Sequence, residues 1–586
     1  MVFQPPIADI LFALDAAAGN APGSGQSLFD DLPPDTVAAI LEEAGKFAAS
    51  ELAPLNRVGD VVGARRNGDG TVTTAPGWRE AYRHFRDAGW NGLSAPEAHG
   101  GQGLPTALAM AVQEMWNAGS AAFALAPMLT AGAIEALDAH GSDDLKTRYL
   151  PRMVSGEWTG TMNLTEPQAG SDLGAIRTRA EPAADGTYRL FGEKIFITYG
   201  EHDLAENIIH LVLARIAGAP DGTRGLSLFV VPKRLVGDDG APGEANDVAC
   251  ARLEEKLGIH GSPTCAMIYG GAGRGATGFL VGEANRGLAG MFTMMNLARL
   301  NVGIQGVGVA ERARQEALAY ARERRQGRAP GIDGPAPIIA HADVSGMLLR
   351  MQALVAASRA LAYSCAFAFD MSRRADPSQR ARWADRASLL TPLAKAFATD
   401  AANEVASLGV QVHGGMGYIE ETGAAQHLRD ARIFAIYEGT NGIQAVDLVL
   451  RRLKLDHGAA VARFIDELGE VAVAVRQSNR SDLGATGGML EAAVDSLRRA
   501  TAFIADAEAS GRGAETLAGA TAYLRLFALT ASGALLARGA LAAPEDRHGS
   551  LARYFTETLV AESGALCSTV TGGAAAHRLA AAAWLG

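Results

Sequence analysis

The hydrophobic period changes twice along this chain, and that alternation limits the fold more than any other feature of the sequence. From Ile7, Ile10, Leu11 and Leu14 onward the apolar residues recur at helical spacing, and past the Gly/Pro/Ser stretch around Asn20 to Gly25 this spacing continues to about residue 156. Between about residues 160 and 285 it gives way to short β-rich runs, Tyr188 to Thr198, Ile208 to Ile216 and Leu226 to Val231. Asp185-Gly186, Pro220-Asp221-Gly222 and a Gly/Asp loop around residues 237 to 247 separate them. Helices of about 10–15 residues do not alternate with these strands, which points to an antiparallel β domain and not to a doubly wound parallel sheet. Helical spacing returns after Gly287, with Leu300, Ile304, Val307 and Ala310 on one stripe, and runs to about Leu455 apart from a Gly/Pro loop at residues 327 to 337. In a last block Phe464, Leu468, Val471 and Val475 step by four, three and four residues before a break at Ser481 to Gly488.

The expected fold class is therefore α+β, mainly α. Its parts are an extension (1–34), an N-terminal helical domain (35–159), a middle antiparallel β domain (160–285), a helical bundle (286–458) and an extra C-terminal helical domain (459–586). With 48% hydrophobic and 20% charged residues, a chain of 586 residues can fill several cores, and wholesale disorder is excluded. The net charge of −11 argues against a general nucleic-acid binder, as do the fourteen basic and fourteen acidic side chains from residue 451 onward. Cys250, Cys265, Cys365 and Cys567 show neither disulfide nor metal spacing, so no metal site is expected. The start Met-Val-Phe-Gln-Pro-Pro lacks the features of a signal peptide. The uncharged stretch Met115 to Ile134 reads as a buried helix broken at Pro127, not as a membrane span. A soluble, cytoplasmic protein is expected.

Two motifs fail on context. Gly271-Ala-Gly-Arg-Gly-Ala276 has the letters of a dinucleotide fingerprint, but Phe279-Leu-Val reads as a strand where that motif needs a helix. Asn163-Leu-Thr165 is only formally a glycosylation acceptor. The Gly-rich loop Pro96 to Gly103 is either the edge of a site or a surface turn.

Two segments carry more. Met162-Asn-Leu-Thr-Glu-Pro-Gln-Ala-Gly-Ser-Asp172, at the helix-to-sheet boundary, offers hydroxyl donors and a glycine that lets backbone come close to a ring or phosphate, or else is a domain linker. Gly409-Val-Gln-Val-His-Gly-Gly-Met-Gly-Tyr418 is followed by Arg429 to Gln444, which contains Ile-Tyr-Glu-Gly-Thr. Glu438 stands between Ile436-Tyr437 and Gly439, so it is either a solvated helix end or a carboxylate whose apolar flanks would strengthen it as a base.

In order, spacing and residue type these segments resemble the acyl-CoA dehydrogenase family over roughly residues 35 to 455: the T-E-P-x-A-G-S-D turn, the G-G-x-G-Y helix and the I-Y-E-G-T-x-x-I-Q end. The resemblance implies FAD as cofactor. Met162, Leu164, Thr165, Gly170 and Ser171 would meet the flavin and pyrophosphate side, with Phe196 and Thr198 against the ring. Arg324, Gln411, Gly414 and Gly415 match positions that hold the adenine and pyrophosphate half from a neighbouring subunit, and Thr440 and Gln444 follow the base. The chain departs from the family at Gly327-Arg328, where a Phe-Gly pair is usual.

The implied reaction is α,β-dehydrogenation of an acyl-CoA thioester to the trans-2-enoyl-CoA. Glu438 would take the α-proton while the β-hydride passes to the flavin, and the Glu438 N–H and a ribityl hydroxyl would polarise the carbonyl. Ser171, Asn296, Arg299 and Gly439 are the implied substrate contacts, and Ala298 occupies the position where some relatives carry the base. The implied onward acceptor is an electron-transfer flavoprotein. The length of the chain is similar to that of a bacterial subgroup acting on 3-methylthiopropanoyl-CoA and on medium or long acyl-CoAs. An oxidase using O₂ would share every motif; a DNA-associated relative without dehydrogenase activity is a different class, and the intact Glu438 and the balanced charge of the C-terminal extension stand against it. A homo-oligomer is implied, with a dimer favoured if residues 460 to 586 pack on the catalytic core and across a subunit interface through the Phe464 to Val475 face.

Overall fold

Capping chemistry fixes where the helices begin and end. The Ser142 hydroxyl accepts the Leu145 N–H at 3.3 Å to start one helix, and Gly156, at φ 81°, ends it. A computed structural model describes residues 3–20, 26–237, 239–543 and 546–585; residues 21–25 of the Gly/Pro/Ser stretch and residue 238 of the Gly/Asp loop lie outside them. The chain forms two compact units, Met1–Lys46 with Thr106–Ala118 and Arg299–Gly586, and Phe47–Pro105 with Gly119–Ala298. The helices are α1 (Ile7–Ala18), α2 (Pro34–Phe47), α3 (Ala53–Val62), α4 (Trp78–Asp87), α5 (Thr106–His140), α6 (Asp143–Ser155), α7 (Gly287–Glu323), α8 (Ala342–Arg374), α9 (Pro377–His413), α10 (Ala424–Arg432), α11 (Asn441–Leu450), α12 (Ala459–Gln477), α13 (Thr486–Ala509), α14 (Gly513–Ala542), α15 (Asp546–Thr558) and α16 (Ser563–Trp584).

The second unit holds the sheet: β1 (Trp158–Asn163), β2 (Arg179–Pro182), β3 (Tyr188–Thr198), β4 (Asn207–Ile216), β5 (Leu226–Pro232), β6 (Val248–Leu253), β7 (Thr264–Tyr269) and β8 (Ala276–Val281). Its order is β6-β7-β3-β8-β5-β4-β1, and β2 joins β3 to β4, closing β3, β8, β5, β4 and β2 into a small barrel around Leu190, Val212, Phe229 and Tyr269. The expected strands are present and most of their pairings are antiparallel as expected, with a correction at two of them. β1 and β2 both run parallel to β4 and lie end to end along it, Asn163 opposite Val212 and Arg179 opposite Arg215. Alternation of side chains reports a strand and is blind to its direction. The segment between them, 164–178, is thus an excursion from one line of strand. The Gly271 to Ala276 turn leads into β8, and the Asp247 carboxylate accepts its Ala272 and Arg274 N–H groups at 2.9 and 3.1 Å, so those donors are already engaged within the protein. Asn163 is fully buried, with Tyr269 donating to its Oδ1 at 2.8 Å.

The break in α5 also falls elsewhere than at Pro127. Ser120 has extended dihedrals (φ −157°, ψ 102°) and its hydroxyl accepts the Phe123 N–H at 3.4 Å, so it caps a second helical segment within which Pro127 is accommodated. α5, α8 and α14 are long and apolar enough to cross a membrane by length and composition; 89%, 78% and 83% of their apolar stretches are buried by packing inside the protein.

In the first unit α7, α8 and α9 form the bundle, and α14 packs on α8, α9, α11 and α12. Gly306 lets α9 approach α7, since a Cβ there would stand 2.7 Å from the Ala398 carbonyl oxygen. The expected docking of the appended helices on the core is present. Their Phe464 to Val475 face is spent on it, however. Phe464, Leu468 and Val475 are buried, the Phe464 ring lies 5.8 Å from Phe527 of α14 and Arg386 of α9 stands 4.1 Å over it, so this face does not serve a subunit interface.

One buried guanidinium ties the bundle together. Arg359 of α8 donates to Glu114 of α5 at 2.6 Å and to Glu311 of α7 at 3.3 Å, and Tyr363 donates to Glu114 at 2.7 Å. Replacing Arg359 with leucine should cost about 3–5 kcal/mol, because two buried carboxylates lose their shared cation. Thermal or denaturant unfolding measures this, and a loss near zero would contradict it.

Candidate active site

The I-Y-E-G-T segment forms a turn in which each residue has a structural task. Glu438 (φ 55°) and Gly439 (φ 83°) are both left-handed, and Thr440 caps α11 by accepting the Ile443 N–H at 3.2 Å. A left-handed glutamate costs of order 1–3 kcal/mol and persists only when its surroundings hold it. Here Gln444, one turn into α11, donates its amide to the Glu438 carbonyl at 3.0 Å, and Tyr437 donates its hydroxyl to Gln305 of α7. At Gly439 a Cβ would stand 2.7 Å from that same Gln444 amide, so glycine is required for the clamp to close.

The Glu438 carboxyl is half-buried, and desolvation raises its pKa to about 7 against the opposing pull of Arg299 and Lys395. Arg299 is buried on α7, 3.7 Å from Asp447 of α11, and its Nε has no hydrogen-bond partner among the described residues. Lys395 of α9 is fully buried and donates to the Gly439 carbonyl at 2.8 Å and to Asn441 Oδ1 at 2.9 Å; burial pushes its pKa down to about 7. The structure therefore brings together Glu438, Gly439, Thr440, Gln444 and Arg299. It adds Lys395, Asp447 and Gln305, which the sequence analysis missed. A signal for Lys395 was present: it is the one charged residue in the run Leu389 to Phe397.

In the second unit the excursion from β1 folds back on β3. The Thr165 carbonyl accepts the Ile195 N–H at 2.9 Å, and the Lys194 ammonium donates to the Leu164 carbonyl at 2.9 Å and to Glu166 at 2.8 Å. Glu166 also accepts from the Thr178 hydroxyl and from the Arg177 and Thr178 N–H groups. Opposite β7, β3 carries one extra residue between Lys194 and Ile197; in this bulge Phe196 turns left-handed (φ 60°) and its side chain is 60% exposed. Met162 and Thr198 are half-buried and Leu164 is buried; Gly170 and Ser171 are exposed, and no atom lies within 4 Å of a Cβ at Gly170.

The remaining candidates lie apart. Asn296 is half-buried on α7, one turn before Arg299. Gln411, Gly414 and Gly415 are exposed at the end of α9, about 24 Å along that helix from Lys395 at 1.5 Å per residue. Arg324 is exposed just after α7, donating to Gln326 at 3.2 Å, and a Cβ at Gly327 would stand 3.5 Å from the His341 ring.

Comparison with known proteins shows the family. Residues 34–157, 161–271 and 285–454 match the N-terminal, middle and C-terminal domains described for acyl-CoA dehydrogenases, and residues 459–578 match the acetyl-CoA dehydrogenase C-terminal-like domain. The chain is 46% identical over 553 residues to the 3-methylmercaptopropionyl-CoA dehydrogenase of Ruegeria pomeroyi, covering 93% of this chain and 92% of that one. It belongs to the acyl-CoA dehydrogenase family. As a member it is an FAD-dependent oxidoreductase acting on the CH–CH bond of acyl-CoA. It is also 34% identical to the broad-specificity linear acyl-CoA dehydrogenase FadE5 of Mycobacterium tuberculosis, over 80% of this chain and 78% of that one. The crystal structure of Caenorhabditis elegans ACDH-11 in complex with C11-CoA shares the fold of this dehydrogenase, with a TM-score of 0.77 at 22% identity, covering 95% of this chain and 92% of that one.

The Glu166 carboxyl is held at about 2, below its ordinary 4.5, because the Lys194 charge and the hydrogen bonds it accepts outweigh its desolvation. A folded value below the unfolded one means that this stabilisation is complete above about 4.5 and fades as the pH falls toward 2. The stability gap between wild type and Glu166→Gln should therefore narrow over that window in thermal melts; a gap independent of pH would contradict it.

Proposed function

We propose that this dehydrogenase removes the α-proton of an acyl-CoA thioester with Glu438, and that 3-methylthiopropanoyl-CoA is its substrate. The observation that carries the base is the half-buried carboxyl raised to about 7 in a clamped left-handed turn, beside a buried arginine with an unpartnered Nε. An α-C–H next to a thioester is a weak acid, so a carboxylate of ordinary strength would be a poor match, while one near 7 remains available at neutral pH. Ala298 offers no side chain that could take its place. The substrate reading is supported by the 46% identity over 93% of the chain.

FAD, when bound, supplies the acceptor for the β-hydride. The residues present suit such a group: the exposed Phe196 side chain offers an aromatic surface, Gly170 has open space over it, and the exposed Ser171 hydroxyl is a donor. Thr165 and Thr198 add hydroxyls beside them, and Met162 and Leu164 the apolar floor. Gln411, Gly414 and Gly415, exposed and far along α9 from Lys395, are suited to serve the cofactor of a neighbouring subunit together with Arg324. Thr440 and Gln444 hold the turn and flank the same cofactor. The Glu438 N–H polarises the thioester carbonyl, Arg299 and Gly439 line the acid–base end, and Asn296 with Ser171 meets the CoA portion. An electron-transfer flavoprotein is the onward acceptor, in a cytoplasmic homodimer.

Glu438→Gln should keep the fold and the yellow flavin yet lose turnover by at least the 10²–10⁴-fold typical of a missing base. In wild type kcat/KM should rise with pH through about 7, because the base works deprotonated, and level off above it. Turnover of an acyl-CoA panel with an artificial electron acceptor, and separately with O₂, checks both substrate and acceptor; substantial activity of Glu438→Gln would remove the assignment. Arg324→Ala should release FAD and loosen subunit association together, and sedimentation showing a monomer that retains FAD would overturn the cross-subunit role.

A further inference from the structure

A buried polar chain connects the Glu438 turn with the appended C-terminal helices. Lys395 spans from the Gly439 carbonyl (2.8 Å) to Asn441 Oδ1 (2.9 Å). Asn441 in turn donates to Asp400 Oδ1 at 2.7 Å, to the Thr399 hydroxyl at 3.0 Å and to the Ala396 carbonyl at 3.2 Å. Asp400 shares a small cavity of about 70 Å³ with Arg525 of α14, whose charge acts on it, and Arg525 is held by Glu562 at 2.8 Å. All these groups lie in the first unit.

A fully buried ammonium is costly, and a lysine in a helix face of alanine, leucine and phenylalanine has no packing reason to be there. What it does instead is hold the carbonyl that follows the base. We propose that Lys395 is a positioning residue for the reaction: its ammonium pins the Glu438–Gly439 turn in its left-handed form and sets a positive charge against the carboxylate, and Asn441 and Asp400 orient that ammonium. The inference rests on Glu438 being the base. The charged groups facing Lys395 are Glu438, Asp400 and Arg299; those facing Glu438 are Arg299 and Lys395, with Asp447, Arg451 and Arg452 around Arg299 and Arg525 reaching Asp400 from α14. The carboxylate favours the protonated ammonium and the ammonium favours the ionised carboxylate, each opposing the desolvation of the other, so the two groups act as one coupled pair.

Removing a cation from beside a carboxylate raises the carboxylate's pKa, by about 1–3 units for a close pair. In the flavin-loaded enzyme Lys395→Met should therefore move the rising limb of the kcat/KM–pH profile upward by about one unit or more, and lower kcat because the turn loses its anchor. Asp400→Asn keeps the hydrogen bond from Asn441 and deletes only a charge that supports the ammonium, so it should move the same limb in the same direction by less. If Lys395→Met does not fold, Asp400→Asn decides the matter. Combining Lys395→Met with Glu438→Gln should be no worse than Glu438→Gln alone. Folded, flavin-bound variants with an unshifted profile would overturn the proposal while leaving Glu438→Gln inactive; an active Glu438→Gln would instead remove the base assignment on which it rests.

Discussion

The first unit depends on charges that are buried and shared. Arg359 stands on α8 with almost no exposure, and its guanidinium satisfies Glu114 from α5 and Glu311 from α7, while Arg314 adds a second cation to Glu311 at 2.5 Å. Two carboxylates between two guanidiniums can be desolvated together where any one alone could not, and the planar guanidinium forces a fixed geometry on the helices that carry its partners. The register of α5, α7 and α8 is thus set by hydrogen bonds, while small residues such as Gly306 and Gly308 decide how closely the helices pack; a Cβ at Gly308 would stand 2.5 Å from the Glu114 carbonyl oxygen.

The same device recurs, at smaller scale, once in each unit. In the barrel Lys194 joins Glu166 and the Leu164 carbonyl, and so holds an excursion of fifteen residues, 164–178, onto the end of β3. In the bundle Lys395 joins the Gly439 carbonyl and Asn441, and so holds the Glu438–Gly439 turn onto α9. Each lysine is fully buried and each bridges segments that are locally strained or irregular: the Phe196 bulge in one case, left-handed Glu438 in the other. Polar anchoring lets irregular backbone sit inside protein without leaving its carbonyls unsatisfied. It also explains how Glu438 can be partly desolvated and still remain ionisable near neutrality, since burial raises its pKa and two nearby cations limit the rise.

The appended helices are part of this arrangement and not a separate module. α14 packs on α11, the helix that Thr440 caps, and Arg525 from α14 acts on Asp400. The amphipathic stripe Phe464 to Val475 is consumed by α9 and α14 within the same chain.

Local pattern in the sequence determined a good deal: helix against strand along most of the chain, the sequence of helical, β and helical regions, the family through three short motifs, and Glu438 as the residue most worth testing. It could do so because periodicity, capping residues and turn glycines act over a few neighbours and leave their mark there. What it did not determine depends on residues far apart in sequence meeting in space. Strand direction along β4 and the barrel closure through β2 leave no trace in alternation. The break at Ser120 outweighed the more obvious proline because a hydroxyl was placed to cap the next turn. Sequence alone leaves open whether Glu438 is a solvated helix end or a partly desolvated carboxylate, and it does not show that Gln444, Arg299 and Lys395 converge on its turn from α11, α7 and α9. Only the tertiary structure fixes which charges lie beside a carboxylate and how much water is excluded from it, and those two quantities decide its chemistry.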